Sequence, residues 1–153
     1  MKVGRLVSSW VPVIGWMLLI FAGSTDVLSA EHTSRFLVPF LHWLDPQISF
    51  ATIFRIHNAL RKLGHFTEYA VLAALLWRAL RGTLIHLNRA TITLATFFIT
   101  AAFAATDEFH QSFVSTRTAS AHDVMIDCLG ALCAVLVCVA LTRRPASPRA
   151  VAL

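Results

Sequence analysis

Residues 124–141 read VMIDCLGALCAVLVCVAL, an apolar run whose single charge, Asp127, lies near its start. At about 1.5 Å of rise per residue such a run spans most of the ~30 Å hydrocarbon core of a bilayer. Three other stretches are comparable: Leu6 to Gly23, Leu63 to Leu80 and Ala90 to Thr106. Lipid offers the backbone no hydrogen-bond partner, so segments of this kind cross as helices. The expected architecture is therefore all-α, a four-helix transmembrane bundle.

These four runs sort the charges. With a cytoplasmic N-terminus, one side of the membrane holds Lys2, Arg5, Arg78, Arg81, Arg89, Arg143, Arg144 and Arg149 and no acid. That is the bias of the positive-inside rule, and it puts both termini in the cytoplasm. The other side holds Arg35, Arg55, Arg61, Lys62 and Arg117 with every acidic residue: Asp26, Glu31, Asp45, Glu68, Asp107, Glu108, Asp123 and Asp127. Any chemistry is expected at that outer surface.

The composition, 57% hydrophobic and 14% charged, lies outside the range of ordinary soluble domains. Although the pI is about 9.9, the basic residues form short juxtamembrane clusters. Contact with anionic lipid explains them better than nucleic acid does. Cys128, Cys133 and Cys138 recur every fifth residue and so point in three directions on one helix, which suits packing and excludes a shared metal. Lys2 and Arg5 before the first apolar run allow a secretory signal, but the run is long, and a cleavage after Ala30 would place bulky Leu28 where a small residue is wanted. Residues 1–142 are read as the membrane domain and residues 143–153 as a basic, disordered cytoplasmic tail.

Between the first two runs, Phe36, Leu37, Phe40, Leu41 and Trp43, then Phe50, Ile53, Phe54, Ile56 and Leu60, recur at helical steps. Two short interfacial helices are expected there, broken near Pro39 and Pro46. The second is expected to run into the second membrane helix, with Gly64 a possible bend. Trp43 suits an outer aromatic belt, and Trp10 and Trp77 an inner one.

The polar residues inside the spans carry the functional signal. His65 and Glu68 are three apart on one helix face, with Lys62 a turn away and Tyr69 further inward. Asp123 and Asp127 are four apart at the outer start of the last helix, followed by Gly130, and Asp107, Glu108 and Gln111 end the third helix. An ionisable side chain facing lipid at mid-bilayer costs roughly 2.5–3.5 kcal/mol, so these groups should face each other or water in one outward pocket. The plainer alternative is structural: buried pairs of Glu68 with Lys62 and of Arg117 with Asp123, or Asp123 as a helix cap.

The pattern Lys62-x-x-His65-x-x-Glu68-Tyr69, Asp107-Glu108-x-x-Gln111-x-Phe113-x-x-x-Arg117 and Asp123-x-x-x-Asp127-x-x-Gly130 resembles the VanZ-like family of small bacterial membrane proteins. Ser24 also matches a family position. One departure is visible: Ser115-Thr116 precede Arg117 where the family usually has Pro-Gly. The resemblance implies a multi-pass protein of the bacterial cytoplasmic (inner) membrane, tied to the envelope. The family is named for a member associated with resistance to the glycopeptide teicoplanin.

On that basis His65, Glu68, Glu108 and Asp127 are candidate catalytic groups, His65 or Glu68 as general acid or base, with Asp107, Glu108 and Asp127 orienting them or binding a divalent ion. Lys62, Asp107, Gln111, Arg117 and Asp123 are candidate ligand contacts, with Lys62 and Arg117 suited to phosphate or carboxylate oxygens. The expected partners are the lipid bilayer and an envelope precursor or lipid-linked phosphate; no cofactor is named by these residues. The spacing Arg117-x5-Asp123-x3-Asp127 is similar to a motif of membrane lipid phosphatases, but those have histidine where Asp123 stands, so their mechanism does not transfer. Two other classes compete: a cation- or proton-binding carrier, disfavoured by almost entirely apolar inner halves of the helices, and a non-enzymatic scaffold.

Overall fold

The computed structural model describes residues 3–25, 30–114 and 119–142, with the side chains of residues 5 and 30–33 set aside. Among the described residues there are five helices and no strand: α1 (Val3–Gly23), α2 (Ala30–Leu44), α3 (Phe50–Thr83), α4 (Arg89–Gln111) and α5 (Ala121–Leu141). Arg117 and the tail beyond Thr142 lie outside the described residues.

Local chemistry sets the boundaries. Ser49, Asn88 and Ser120 each sit in extended backbone and accept an amide of the following turn, from Thr52, Thr91 and His122 respectively. The cap of α5 is thus Ser120, and Asp123 is free for another partner. Pro39 does not break α2, contrary to the expectation of a break there. Both Pro39 and Arg35 are exposed, so the carbonyl that loses its donor can turn to solvent or headgroups. The break falls at Asp45-Pro46, where the Asp45 side chain accepts the Gln47 amide in a tight turn.

The remainder of the expected interfacial segment is continuous with residues 63–80. α3 is one helix of 34 residues through Gly64, roughly 51 Å long. It is the axis of the molecule, with α1, α4 and α5 all packed on it. Its buried face is His65, Tyr69, Leu72, Ala73, Leu76, Trp77, Ala79 and Leu80. α5 answers with the stripe Asp123, Asp127, Gly130, Ala131 and Val135, and α4 with Ile92, Thr96, Thr100 and Ala104.

Among the described residues three helices are long and apolar enough to cross a membrane: Leu6–Gly23, Arg89–Gln111 and Ala121–Leu141. The expected fourth span, 63–80, does not join them, because His65, Glu68 and Arg78 lower its hydropathy. Its central position accounts for this, since a helix surrounded by helices need not match lipid. α1 shows the opposite condition: Val3, Val7, Val11, Ile14, Leu18 and Phe21 form an exposed apolar flank. Trp77 also departs from its expected belt position: it is buried in the core, with Arg81 over its ring at 5.0 Å.

The bundle has two chemically distinct ends. At one, Ser24, Arg61, His65, Asp107, Gln111, Asp123 and Asp127 are joined by side-chain hydrogen bonds. At the other, Arg78 donates to the Ser8 carbonyl and Arg89 to the Thr142 carbonyl.

Candidate functional site

The site grows from the parallel packing of α3 and α5. Arg61 Nη2 lies 3.0 Å from Asp123 Oδ2, and one turn further in His65 Nδ1 lies 3.1 Å from Asp127 Oδ1. Both pairs span 62 residues, so a four-residue step on each helix forms two rungs of one ladder. The register is held below the rungs by Gly130, where an added Cβ would overlap the Phe66 carbonyl.

The third rung reaches α4. Tyr69, four residues after His65 and fully buried, donates its hydroxyl to Asp107 Oδ2 at 3.2 Å. The same oxygen accepts Gln111 Nε2 at 3.1 Å, and Gln111 Nε2 also approaches Ser24 Oγ at the end of α1 at 3.3 Å. Trp16 Nε1 ties α1 to α3 by donating to the Glu68 carbonyl at 2.9 Å. Glu108 Oε1 accepts the amide of Ser120, which anchors the start of α5 to the end of α4.

Most of this cluster is sealed from solvent. Asp127 and Gln111 are each 1% exposed, and His65, Asp107, Glu108, Asp123 and Ser24 are all buried. Three acceptor oxygens on the final turns of α4, Asp107 Oδ1, Glu108 Oε2 and Gln111 Oε1, have no hydrogen-bond partner among the described residues. Buried acceptors of this kind cost about 1–3 kcal/mol each unless a donor reaches them. They therefore suit the N–H or O–H groups of a ligand. Among the described residues no group of three or more His, Cys, Asp or Glu is gathered closely enough to hold a metal ion.

His65 has the geometry of an oriented base. Its Nδ1 faces a buried carboxylate, which fixes the ring and its tautomer, and Nε2 makes no hydrogen bond to another described residue. Of the other sequence candidates, Glu68 is half-buried on the same helix, and Lys62 is exposed, outside the ladder. Arg117 lies outside the described residues. Among the described residues the cation that meets Asp123 is Arg61. Its signal was available: residues 61, 65 and 69 repeat at the same four-residue step as 123 and 127.

A family model described as VanZ/LLP1 matches residues 9–142, which takes in most of α1, all of α2 to α5 and all of these polar residues. No curated protein and no solved structure matches the chain. Three membrane-length apolar helices and this match identify a membrane protein, and the chain belongs to the VanZ/LLP1 family.

Proposed function

We propose that the acid-rich end faces the outer side of the bacterial cytoplasmic membrane and there binds, and by acid–base chemistry modifies, an envelope precursor or lipid-linked phosphate. In this reading the protein is multi-pass with cytoplasmic termini, and it contributes to tolerance of teicoplanin-type glycopeptides. The observation that carries the proposal is the pairing of His65 Nδ1 with buried Asp127, which leaves Nε2 to exchange a proton with a ligand. Asp107, Glu108 and Gln111 each supply one acceptor oxygen without a donor among the described residues, so the recognised portion carries hydroxyl or amide groups, as the sugar and peptide parts of a precursor do. Arg117 and Lys62 are the candidates for an accompanying phosphate or carboxylate.

The test replaces His65→Gln and Asp127→Asn in cells that depend on the protein for growth with such a glycopeptide. Tolerance should fall at least tenfold for each while membrane abundance is kept. Unchanged tolerance in both, or a loss that merely tracks abundance, overturns the catalytic version.

A second reading, a non-enzymatic scaffold, is favoured by the near-complete burial of the ladder, since closed ion pairs also fix helix register. It predicts that tolerance follows abundance in every variant.

A further inference from the structure

A cavity of about 340 Å³ opens at the end of the bundle opposite the acidic ladder, lined by Trp77, Arg81, Ile85, Leu87, Arg89 and Ile92. Its size falls in the range of about 300–1,000 Å³ common for small-ligand sites. The lining divides into two guanidinium groups, one indole and three aliphatic side chains. No acid competes for the cations, because no Asp or Glu occurs between Glu68 and Asp107.

Each polar group here has donors to give. Trp77 is 4% exposed, and its indole is the platform on which Arg81 lies. Arg81 is held by its stack on the Trp77 ring at 5.0 Å. Arg89 uses Nη2 on the Thr142 carbonyl at 2.8 Å, which anchors the guanidinium and leaves further N–H groups on it. Arg89 is also the first residue of α4, where the helix dipole favours an anion.

We infer that this cavity binds the phosphate of a membrane lipid headgroup, with Arg81 and Arg89 as donors, the Trp77 ring supporting Arg81, and Ile85, Leu87 and Ile92 against the lipid's apolar portion. Arginine's planar fork suits phosphate oxygens, and this lining holds two of them. The aliphatic wall distinguishes a lipid from a free anion. The site stands apart from the acidic ladder and does not depend on its role.

The test uses the full chain, delipidated in detergent, titrated with phosphatidylglycerol and followed by native mass spectrometry. Wild type should retain the lipid, an Arg81→Gln/Arg89→Gln variant should bind at least tenfold more weakly, and Arg78→Gln, outside the lining, should bind as wild type. Should the double variant fail to fold, Arg89→Lys, which keeps the charge and removes the fork, should still weaken binding several-fold. Equal retention by wild type and the arginine variants overturns the site. Binding of inorganic phosphate alone with the affinity of the lipid overturns the lipid assignment.

Discussion

Gly130 of α5 is pressed so closely on the Phe66 carbonyl of α3 that a β-carbon at position 130 would overlap it. The contact lies beside the His65–Asp127 pair, so the distance between these two helices sets the length of that hydrogen bond. Backbone on the other side cannot swing away as a side chain can. Gly130→Ala should therefore cost about 1–3 kcal/mol, the usual range for overpacking. It should lower the thermal midpoint in detergent and weaken tolerance beyond the loss of folded protein; a stability equal to wild type would show the helices free to separate.

His65 and Asp127 should behave as one unit. Either Asp127→Asn or His65→Gln leaves the other buried without its proper partner, so the double variant should lose less than the sum of the singles, with a coupling of about 0.5–3 kcal/mol. Denaturation of the four proteins of this cycle measures it. Additive effects would separate the two residues energetically.

Arg61 compensates Asp123, whose side chain is mostly buried while that of Arg61 is partly solvated. Arg61→Gln should destabilise the bundle by about 1–3 kcal/mol, less than a fully buried pair would lose. Adding Asp123→Asn should restore part of that loss by removing the stranded charge. Lys62→Gln, at an exposed position, should leave stability within about 0.5 kcal/mol of wild type.

Legibility in the sequence followed the kind of signal each residue gave. Hydropathy marks α1, α4 and α5 plainly, because their outer faces must match lipid. It reads the inner half of α3 weakly, because neighbours surround that helix and its polar residues need only each other. The family spacing picked out His65, Asp107, Glu108, Gln111, Asp123 and Asp127, which the fold gathers at one end. It passed over Arg61, although the four-residue step from Arg61 to His65 and Tyr69 matches that from Asp123 to Asp127. Pro39 misled because the cost of an internal proline depends on whether its helix face is exposed, which α2 settles only when folded.

Asp107 Oδ2 is shared by two donors, Tyr69 and Gln111, so neither alone holds it. Tyr69→Phe should cost about 1 kcal/mol, the net worth of one hydrogen bond, with the ring still packed on Phe103. Gln111→Leu should cost more, about 1–3 kcal/mol, because it also strips Ser24 of its contact and ends the bridge from α4 to α1. Equal small losses for both would reduce Gln111 to a space-filling residue.

The segregation of charge between the two ends fixes the orientation expected in a membrane. Reporter enzymes that work only outside the cytoplasm should stay inactive when fused after Leu87, between α3 and α4, and become active when fused after Gln47, between α2 and α3. The basic end carries Arg78, Arg81 and Arg89 close to helix ends, where each counts towards retention on the cytoplasmic side. Replacing all three by Gln should weaken that preference and yield a mixed population, measured as partial activity of the Leu87 fusion. Full external activity of the unmodified Leu87 fusion would invert the protein and place the His65–Asp127 pair on the cytoplasmic side.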